Sequence, residues 1–268
     1  MKKIARNRRD LIAGAMILVA AAGAYGVASH SPALGPIEGS IAPQMYVDSL
    51  PGAQIPQHGR FVLVDAASAR LYMIEDGRVQ DSMKVIVGKP DTPTPALKDV
   101  LNYETINPYW HVTPDLTRTL IAANVLKQGP SYLTQHGYQI LSGWGPDAHT
   151  IAPESVDWNA VAAGTAQVYV RELPGPANSL GHYKFELPHG DGIYLHDTPR
   201  KELFAQDQRA LSHGCVRLED AEKLARWLLG KDPPQATPPE EHVLLPKPVP
   251  ITISYLDPRS QTQLAALQ

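Results

Sequence analysis

The stretch that sets the fold class is "RFVLVDAASARLYMIEDGRVQDSMKVIVGKP", residues 60–90. Residues 60–65, 70–75 and 79–87 are rich in β-branched and other apolar side chains and are separated by short polar breaks, a pattern typical of strands. The last break contains Asp76 and Gly77, and an Asp-Gly pair between two such runs indicates a tight hairpin. The stretch therefore predicts a β-meander at the start of a mainly β (α+β) domain.

The rest of the chain is consistent with one main domain over residues 60–257. The chain has 268 residues, a length that a single domain can reach, and its 25 prolines against three phenylalanines argue against a bundle of long helices. Further strands are expected in "AQVYVREL", "HYKFELP", "GIYLHD" and "PVPITISYL". A helix is expected in "EDAEKLARWLLG", where acidic residues occupy the first turn and Gly230 ends it.

Residues from about 102 to 180 depart from the strand pattern. Short helical segments are expected after Pro114 and around Ser131, with glycines and prolines between them. Long irregular insertions in compact domains are commonly lids or binding loops. We therefore predict a helical capping insertion over the sheet, whose aromatic residues, Trp110 among them, form either a binding surface or a small core.

The first 30 residues predict export to the periplasm or cell envelope. Five basic residues precede the apolar stretch "LIAGAMILVAAAGAYGVA" (residues 11–28), which is the arrangement of a signal peptide. The Arg8–Arg9 pair resembles a twin-arginine signal, and the same segment left uncleaved would be an inner-membrane anchor. Residues 31–59 are interpreted as a linker and residues 258–268 as a C-terminal tail.

The charge balance argues against a nucleic-acid partner. Without the five basic residues of the n-region and Asp10, the chain keeps 19 basic and 26 acidic residues, a net charge of −7. Binding to nucleic acid needs a basic surface that neutralises phosphates. The charge does not discriminate among small or neutral substrates.

The only cysteine lies in "LSHGCVRL", residues 211–218. In an oxidising compartment a lone cysteine is buried and inert, paired between molecules, or reactive. If "CVRL" enters a strand, Cys215 and Arg217 share one face and His213 lies on the same side. Gly214, which has no Cβ, would permit a tight turn that directs the Gly214 and Cys215 amides into one pocket.

Two histidines compete for the role of base. His213 is two residues from Cys215, and on a strand that places it about 6–7 Å along the chain, too far for a direct hydrogen bond. His196 ends the strand "GIYLH", so only the fold can bring it to the thiol, and we favour it. A backbone carbonyl or Asp197 could hold its ring in the required tautomer.

Metal ligation is a competing interpretation. A zinc hydrolase could use histidine and cysteine ligands. The candidate ligands are His182, His189, His196, His213 and Cys215. Their spacing lacks an H-E-x-x-H helix and a cysteine pair, so neither a metal nor another cofactor is predicted.

With His196 upstream in "IYLHDTP", the motif "SHGCVRL" resembles the catalytic domain of the L,D-transpeptidases (YkuD-like), cysteine enzymes of bacterial cell-wall cross-linking. Their pattern is a histidine, a spacer of about this length, then Ser/Thr-His-Gly-Cys, an apolar residue and Asn or Arg. Further stretches resemble the larger periplasmic members: "RLYMIEDGRVQDSMKVIVGKPDTPTP", "NPYWHVTP", "PGPANSLGHYKFELPH" and "HDTPRKELF". The resemblance covers roughly residues 60–257 and implies a β-sandwich or barrel with a capping insertion.

The resemblance also implies a reaction and the residues that perform it. Cys215 would attack a peptidoglycan tetrapeptide stem at the carbonyl of its third residue, a diamino acid. His196 would transfer protons, D-alanine would leave, and a neighbouring stem amine would take the acyl group in a 3→3 cross-link. His213 and Gly214 would shape the loop and the oxyanion site. The residues expected to contact substrate are Ser212, Arg217, Asp197, Tyr194 and Trp110.

Two questions stay open from the sequence. Larger relatives carry a separate peptidoglycan-binding domain, for which residues 31–59 are too short, so targeting would come from the catalytic domain, an anchor or a partner. The acceptor is also unspecified: water would make the protein an L,D-carboxypeptidase, a lipoprotein amine would make it an anchoring enzyme, and some relatives cleave such links. A non-catalytic wall-binding module is the alternative from another class.

Overall fold

The computed structural model describes residues 46–47, 54–235 and 238–267. The predicted export segment and most of the predicted linker lie outside these residues. No helix within the described ranges is long and apolar enough to cross a membrane.

The described chain is built mainly from strands, joined by short helices. The strands are β1 Tyr46–Val47, β2 Ile55–Pro56, β3 Arg60–Asp65, β4 Arg70–Glu75, β5 Arg78–Gly88, β6 Leu97–Ile106, β7 Trp110–Val112, β8 Tyr138–Leu141, β9 Thr150–Ile151, β10 Tyr169–Glu172, β11 Tyr183–Glu186, β12 Tyr194–His196, β13 Ala210–Ser212, β14 Val216–Leu218 and β15 Glu241–Ser254. The α-helices are α1 Pro114–Leu116, α2 Ala123–Gln128, α3 Ser131–Gln135, α4 Trp158–Ala163, α5 Ala221–Leu229 and α6 Pro258–Ala265. A π-helical turn at Thr117–Ala122 joins α1 to α2, and 3₁₀ turns occupy Pro153–Ser155 and Lys201–Ala205.

The main sheet closes on itself. Its strands follow the order β5-β14-β12-β11-β6-β15-β3-β4, and β4 pairs again with β5, while β13 adds to β5. The predicted meander forms β3, β4 and β5, and the predicted hairpin turn is present, with positive φ angles of 51° at Asp76 and 74° at Gly77. Two successive positive φ angles match the twist of a hairpin, and glycine adopts them without strain. The predicted mainly β, barrel-like fold is confirmed.

The main core lies on one face of these strands, and α5 packs against it. The helix begins after Asp220, whose carboxylate accepts a 2.9 Å hydrogen bond from the Lys223 amide, and it ends at Gly230, which has a φ of 71°. Its buried residues join the strand residues in one cluster: Ala221, Leu224, Ala225, Leu228 and Leu229. Because side chains alternate along a strand, the other half of the side chains of these strands points to the opposite face of the sheet.

The capping insertion has its own small sheet, of which the sequence predicted only the strand in "AQVYVREL". Strands β7, β10, β8 and β9 form it, and α1 to α4 cover a second apolar cluster that includes Val112, Trp158 and Val170. The helical segments after Pro114 and around Ser131 are present. The insertion begins later than expected, because residues up to Ile106 belong to the barrel strand β6. The sequence did not indicate β7, β8 and β9, which have two to four residues each and are too short to show a clear period-two pattern.

Both ends of the described domain differ from the expected linker and tail. Residues 258–265 form α6, which begins where the Asp257 carboxylate accepts a 2.7 Å hydrogen bond from the Ser260 amide. Leu264 is fully buried in a cluster with Ile55 and Leu256. The ends therefore pack on the outer face of the β3–β4 hairpin. The linker and tail were predicted from their mostly polar composition, which does not reveal that Ile55 and Leu264 are buried.

Glu104 makes the stability of the fold dependent on pH. It is fully buried in β6, and within the described residues neither carboxyl oxygen has a hydrogen-bond partner. Burial raises the pKa of this carboxyl from 4.5 to about 7. The folded state therefore binds the proton more tightly than the unfolded state, so stability falls as pH rises from about 4.5 to 7, and the loss persists above that range.

Glu104→Gln should remove this pH dependence. We expect the difference in unfolding free energy between Glu104→Gln and wild type to shift in favour of the variant from pH 4.5 to pH 8, by on the order of 3 kcal/mol. Urea unfolding at the two pH values measures it. Glu202→Gln, at an exposed carboxylate, is the control and should show no such shift. Equal pH dependence in the two variants would contradict a buried, unpaired Glu104.

Candidate active site

The fold brings the predicted nucleophile and base onto one face of adjacent strands. Strands β12 and β14 run parallel, with Leu195 beside Val216 and His196 beside Arg217. Leu195 and Val216 are fully buried in the main core, so side-chain alternation directs His196, Arg217 and Cys215 to the opposite face. Neighbouring strands are about 4.8 Å apart. This register places His196 directly across from Arg217 and on the same face as Cys215, although His196 and Cys215 are 19 positions apart in the chain.

Hydrogen bonds hold the loop before Cys215 in shape. The Ser212 hydroxyl donates to the Cys215 carbonyl at 2.6 Å and accepts from the Gly214 amide at 3.1 Å. The Thr94 hydroxyl donates to the Gly214 carbonyl at 2.7 Å. Gly214 has a φ of 119°, and a Cβ there would lie 3.1 Å from the Ile193 side chain, so the position requires glycine.

The loop corrects two expectations. The Gly214 amide is bonded to the Ser212 hydroxyl and is therefore not directed into an oxyanion pocket together with the Cys215 amide. His213 is exposed, although alternation predicted it on the side of Cys215. The positive φ of Gly214 interrupts the extended backbone between the two residues, so strand alternation does not carry across it.

His196 is buried and held by the backbone. Its Nδ1 lies 2.5 Å from the Asp197 carbonyl oxygen, so the protonated Nδ1 donates there and Nε2 keeps its lone pair. Burial, with a further contribution from the Arg217 charge, lowers the pKa of His196 to about 3. The ring is therefore neutral at physiological pH and can accept a proton at Nε2.

The Asp197 side chain holds the neighbouring segment. One carboxylate oxygen accepts from the His182 amide at 2.9 Å, and the other lies 2.6 Å from the Lys201 ammonium. A Cβ at Gly181 would lie 2.3 Å from this carboxylate. Asp197 also borders a cavity of about 340 Å³. Its predicted contact with substrate stays a prediction.

The Cys215 sulfur is surrounded by polar groups of β12 and the preceding loop. The thiol lies 3.7 Å from the Gly192 carbonyl oxygen, and both the amide and the hydroxyl of Tyr194 hydrogen-bond to the sulfur. Burial raises the pKa of the thiol, while these donors and the charges of Lys184 and Arg217 act in the opposite direction. The resting site thus holds a neutral thiol and a neutral imidazole on one face of the sheet.

Tyr194 connects the cysteine to the cap. Its hydroxyl hydrogen-bonds to Cys215 and accepts from the Trp110 indole, and Trp110 begins β7 of the cap sheet. Burial, with the nearby Cys215, raises the pKa of Tyr194 far above its ordinary value, so the hydroxyl stays protonated and can donate. Tyr194, one of the residues predicted to contact substrate, is therefore hydrogen-bonded to the sulfur. Trp110, another of them, is hydrogen-bonded to Tyr194.

Arg217 brings a cation close to the thiol. It is partly buried on the face of His196. Within the described part of the chain its guanidinium makes no hydrogen bond or ion pair, and its charge acts on both Cys215 and His196. An unneutralised guanidinium in such a position suits a substrate carboxylate.

Sequence reasoning missed Lys184 and Glu186. Both side chains are largely buried, at 12% and 16% exposure, and form an ion pair of 2.5 Å on β11, the strand next to β12. Their signal was present in "HYKFELP": Tyr183 and Phe185 alternate with them and face the core. The opposite face of that strand therefore had to carry Lys184 and Glu186 beside His196.

The proposed zinc ligands are not collected in one place. His189 is paired with Asp99 at 3.0 Å, and His213 is exposed. Across the ranges that the structure describes, no three His, Cys, Asp or Glu side chains are grouped so that they could hold a metal ion.

Comparison with known proteins decides the family. The family model for the L,D-transpeptidase catalytic domain (YkuD) matches residues 59–251. This chain belongs to that family. A Haemophilus influenzae relative named "Putative L,D-transpeptidase" is 36% identical over 175 residues, which cover 65% of this chain. The match spans only 35% of that relative's length.

Solved structures of L,D-transpeptidases are also similar. An L,D-transpeptidase from Mycobacterium smegmatis has 14% sequence identity and a TM-score of 0.38, with 76% of this chain and 70% of that chain covered. A mutant L,D-transpeptidase from Enterococcus faecium has 12% identity and a TM-score of 0.37, with 75% and 53% covered.

Proposed function

We propose that this member of the L,D-transpeptidase family forms 3→3 cross-links in peptidoglycan through a Cys215 thioester. The observation that carries the proposal is the placement of His196 and Cys215 on one face of two adjacent parallel strands, with the His196 Nδ1 bonded to a backbone carbonyl. This arrangement leaves Nε2 available for the thiol proton, as a nucleophile and base pair requires.

The donor in this proposal is a tetrapeptide stem. Its terminal carboxylate would pair with Arg217, which places the preceding carbonyl, that of the diamino acid, near the sulfur. The thiol proton passes to His196 Nε2 as sulfur attacks this carbonyl. The Tyr194 hydroxyl and the Cys215 amide are the proposed donors to the resulting oxyanion.

The second half of the reaction transfers the acyl group. His196 returns the proton to the nitrogen of the departing D-alanine, and the thioester remains on Cys215. The side-chain amine of a second stem attacks the thioester, gives a proton to His196 Nε2, and forms the new amide, and this proton then returns to the sulfur. The cap, fastened to the site through Trp110 and Tyr194, would limit the access of water that competes with the amine.

The acceptor is decided by product analysis. The purified full chain is incubated with a disaccharide-tetrapeptide, with and without a lipoprotein peptide that carries a free side-chain amine, and the products are identified by mass spectrometry. The proposal expects dimers that have lost one D-alanine. Tripeptide alone would indicate an L,D-carboxypeptidase, transfer only to a lipoprotein amine would indicate an anchoring enzyme, and unchanged substrate would favour a wall-binding module. Activity that resists thiol alkylation and stops with a chelator would indicate zinc chemistry.

A peptidoglycan substrate requires that the protein act in the cell envelope. We propose that residues 1–30 direct export, as a cleaved signal or as an inner-membrane anchor, because their basic and apolar pattern is that of a signal peptide.

A further inference from the structure

A buried ion pair lies beside the proposed catalytic residues and has no role in the proposed proton transfers. On β11, Lys184 is directly across from His196, and Glu186 is directly across from Tyr194. The Lys184 ammonium lies 2.5 Å from one Glu186 oxygen, and the Tyr103 hydroxyl donates to the other. The carboxylate is therefore fully engaged, and it holds the ammonium in one place.

Stability alone does not account for this pair. Removing two charges from water costs several kcal/mol per ion, so a buried ion pair is often no better for stability than apolar side chains of the same volume. The ammonium also lies 5.1 Å from the centroid of the Tyr194 ring, a cation–π distance. The pair thus contacts the residue whose hydroxyl hydrogen-bonds to Cys215.

The Lys184 cation lies where negative charge develops during the proposed reaction. The resting thiol and imidazole are both neutral, whereas attack places negative charge first on sulfur and then on the carbonyl oxygen. A cation fixed in a low-dielectric site stabilises that charge without reorganising. Lys184 and Arg217 are the two cations whose charges act on Cys215, and Arg217 is assigned to the substrate carboxylate.

We propose that Lys184, held by Glu186 and Tyr103, is a positioning residue that fixes the Tyr194 ring against Cys215 and supplies a permanent positive charge for the developing thiolate and oxyanion. This role rests on the proposed function, in which Cys215 is the nucleophile. Glu186 fixes the location of the ammonium.

Three variants test the role: Lys184→Met, Lys184→Arg and the double variant Lys184→Met/Glu186→Gln. Methionine keeps much of the side-chain volume without the charge, arginine keeps the charge, and the double variant removes the unpaired carboxylate that Lys184→Met leaves. The rate of Cys215 alkylation by iodoacetamide is measured from pH 6 to 10, together with acylation by a carbapenem followed by mass. Circular dichroism and thermal unfolding report whether each variant is folded.

The expected result is a change in the pH profile. In Lys184→Met and in the double variant, alkylation at pH 7.5 should fall about tenfold and its midpoint should move up by about one pH unit, because a tenfold smaller thiolate fraction corresponds to one pKa unit. Lys184→Arg should remain within about threefold of wild type, which corresponds to less than one pKa unit. Carbapenem acylation should fall at least as much as alkylation, since it also develops an oxyanion.

The outcomes separate this inference from the proposed function. If folded Lys184→Met and the double variant keep the wild-type midpoint and rates, the charge has no role at the thiol and the inference is wrong. If only Lys184→Met changes and the double variant is normal, the cause is the unpaired carboxylate, which also overturns it. If wild type itself forms no carbapenem adduct, the proposed function fails instead.

Discussion

Cys215→Ala should form no covalent adduct with either a tetrapeptide stem or a carbapenem, while wild type gains the mass of one acyl group per chain. The sulfur is the only thiol in the 268 residues, so its removal leaves no cysteine that could form a thioester. Removing the sulfur leaves the hydrogen bonds of the loop intact. The Ser212 hydroxyl donates to the backbone carbonyl of Cys215, and the Gly214 amide donates to the Ser212 hydroxyl, so neither bond uses the Cys215 side chain. The measurement is intact-protein mass spectrometry.

His213→Ala is the matched control for the cysteine variant. His213 lies two residues away in the same loop, but it is exposed, so we expect its adduct to form at close to the wild-type rate. An adduct on Cys215→Ala would remove the thioester mechanism. Loss of the adduct in folded His213→Ala as well would mean that His213 contributes to acylation, contrary to the expectation from its exposure.

His196→Ala should lower the rate of acylation by about 10²–10⁴-fold, the usual contribution of a general base. The thiol that it serves is mostly protonated, since burial raises its pKa, so the loss of the base is not compensated by spontaneous ionisation at neutral pH. Stopped-flow or timed mass measurements with a carbapenem give the rate. His182→Ala, a histidine bonded to Asp197 only through its backbone amide, is the control.

The same histidine predicts the shape of the wild-type pH profile. Because the His196 pKa is lowered to about 3, the neutral base is already fully present at pH 5, and loss of base by protonation occurs only as pH falls toward 3. Acylation should therefore be flat from about pH 5 to 8, without the inflection near 6.5 of an ordinary histidine. An inflection near 6.5, or a larger loss in His213→Ala than in His196→Ala, would contradict the assignment of His196 as base.

Local pattern was sufficient for much of the barrel. Residues 60–88 form runs of β-branched and other apolar side chains, separated by short polar breaks that include an Asp-Gly pair, so neighbouring residues alone indicate three strands and one hairpin. Helix α5 was predictable for the same reason, since its cap at Asp220 and its stop at Gly230 are both local signals. Of the cap sheet only β10 was predicted, in "AQVYVREL". Strands β7, β8 and β9 were missed because they are short, and α6 was missed because its burial depends on distant partners.

Some residues of the candidate site could be located from local sequence and others could not. The motif "SHGCVRL" and the distant "IYLHD" identify a nucleophile and a base by resemblance, and alternation places Cys215 and Arg217 on one face. His213 could not be located this way, because the left-handed conformation of Gly214 separates it from the strand. Lys184 was overlooked because the alternation in "HYKFELP" indicates which face of the strand it occupies, but not that this face lies beside His196.

The sequence by itself determined which segments of the barrel form strands, the hairpin turn at Gly77, the single thiol and the family to which the chain belongs. Only the tertiary structure decided that β12 lies parallel to β14, with β11 beside it, and that the cap reaches Tyr194 through Trp110. The physical reason is that propensity and alternation act over a few residues, whereas strand order and burial are set by which apolar faces cover one another across the whole chain. The electrostatics of Cys215, His196 and Lys184 follow from that burial.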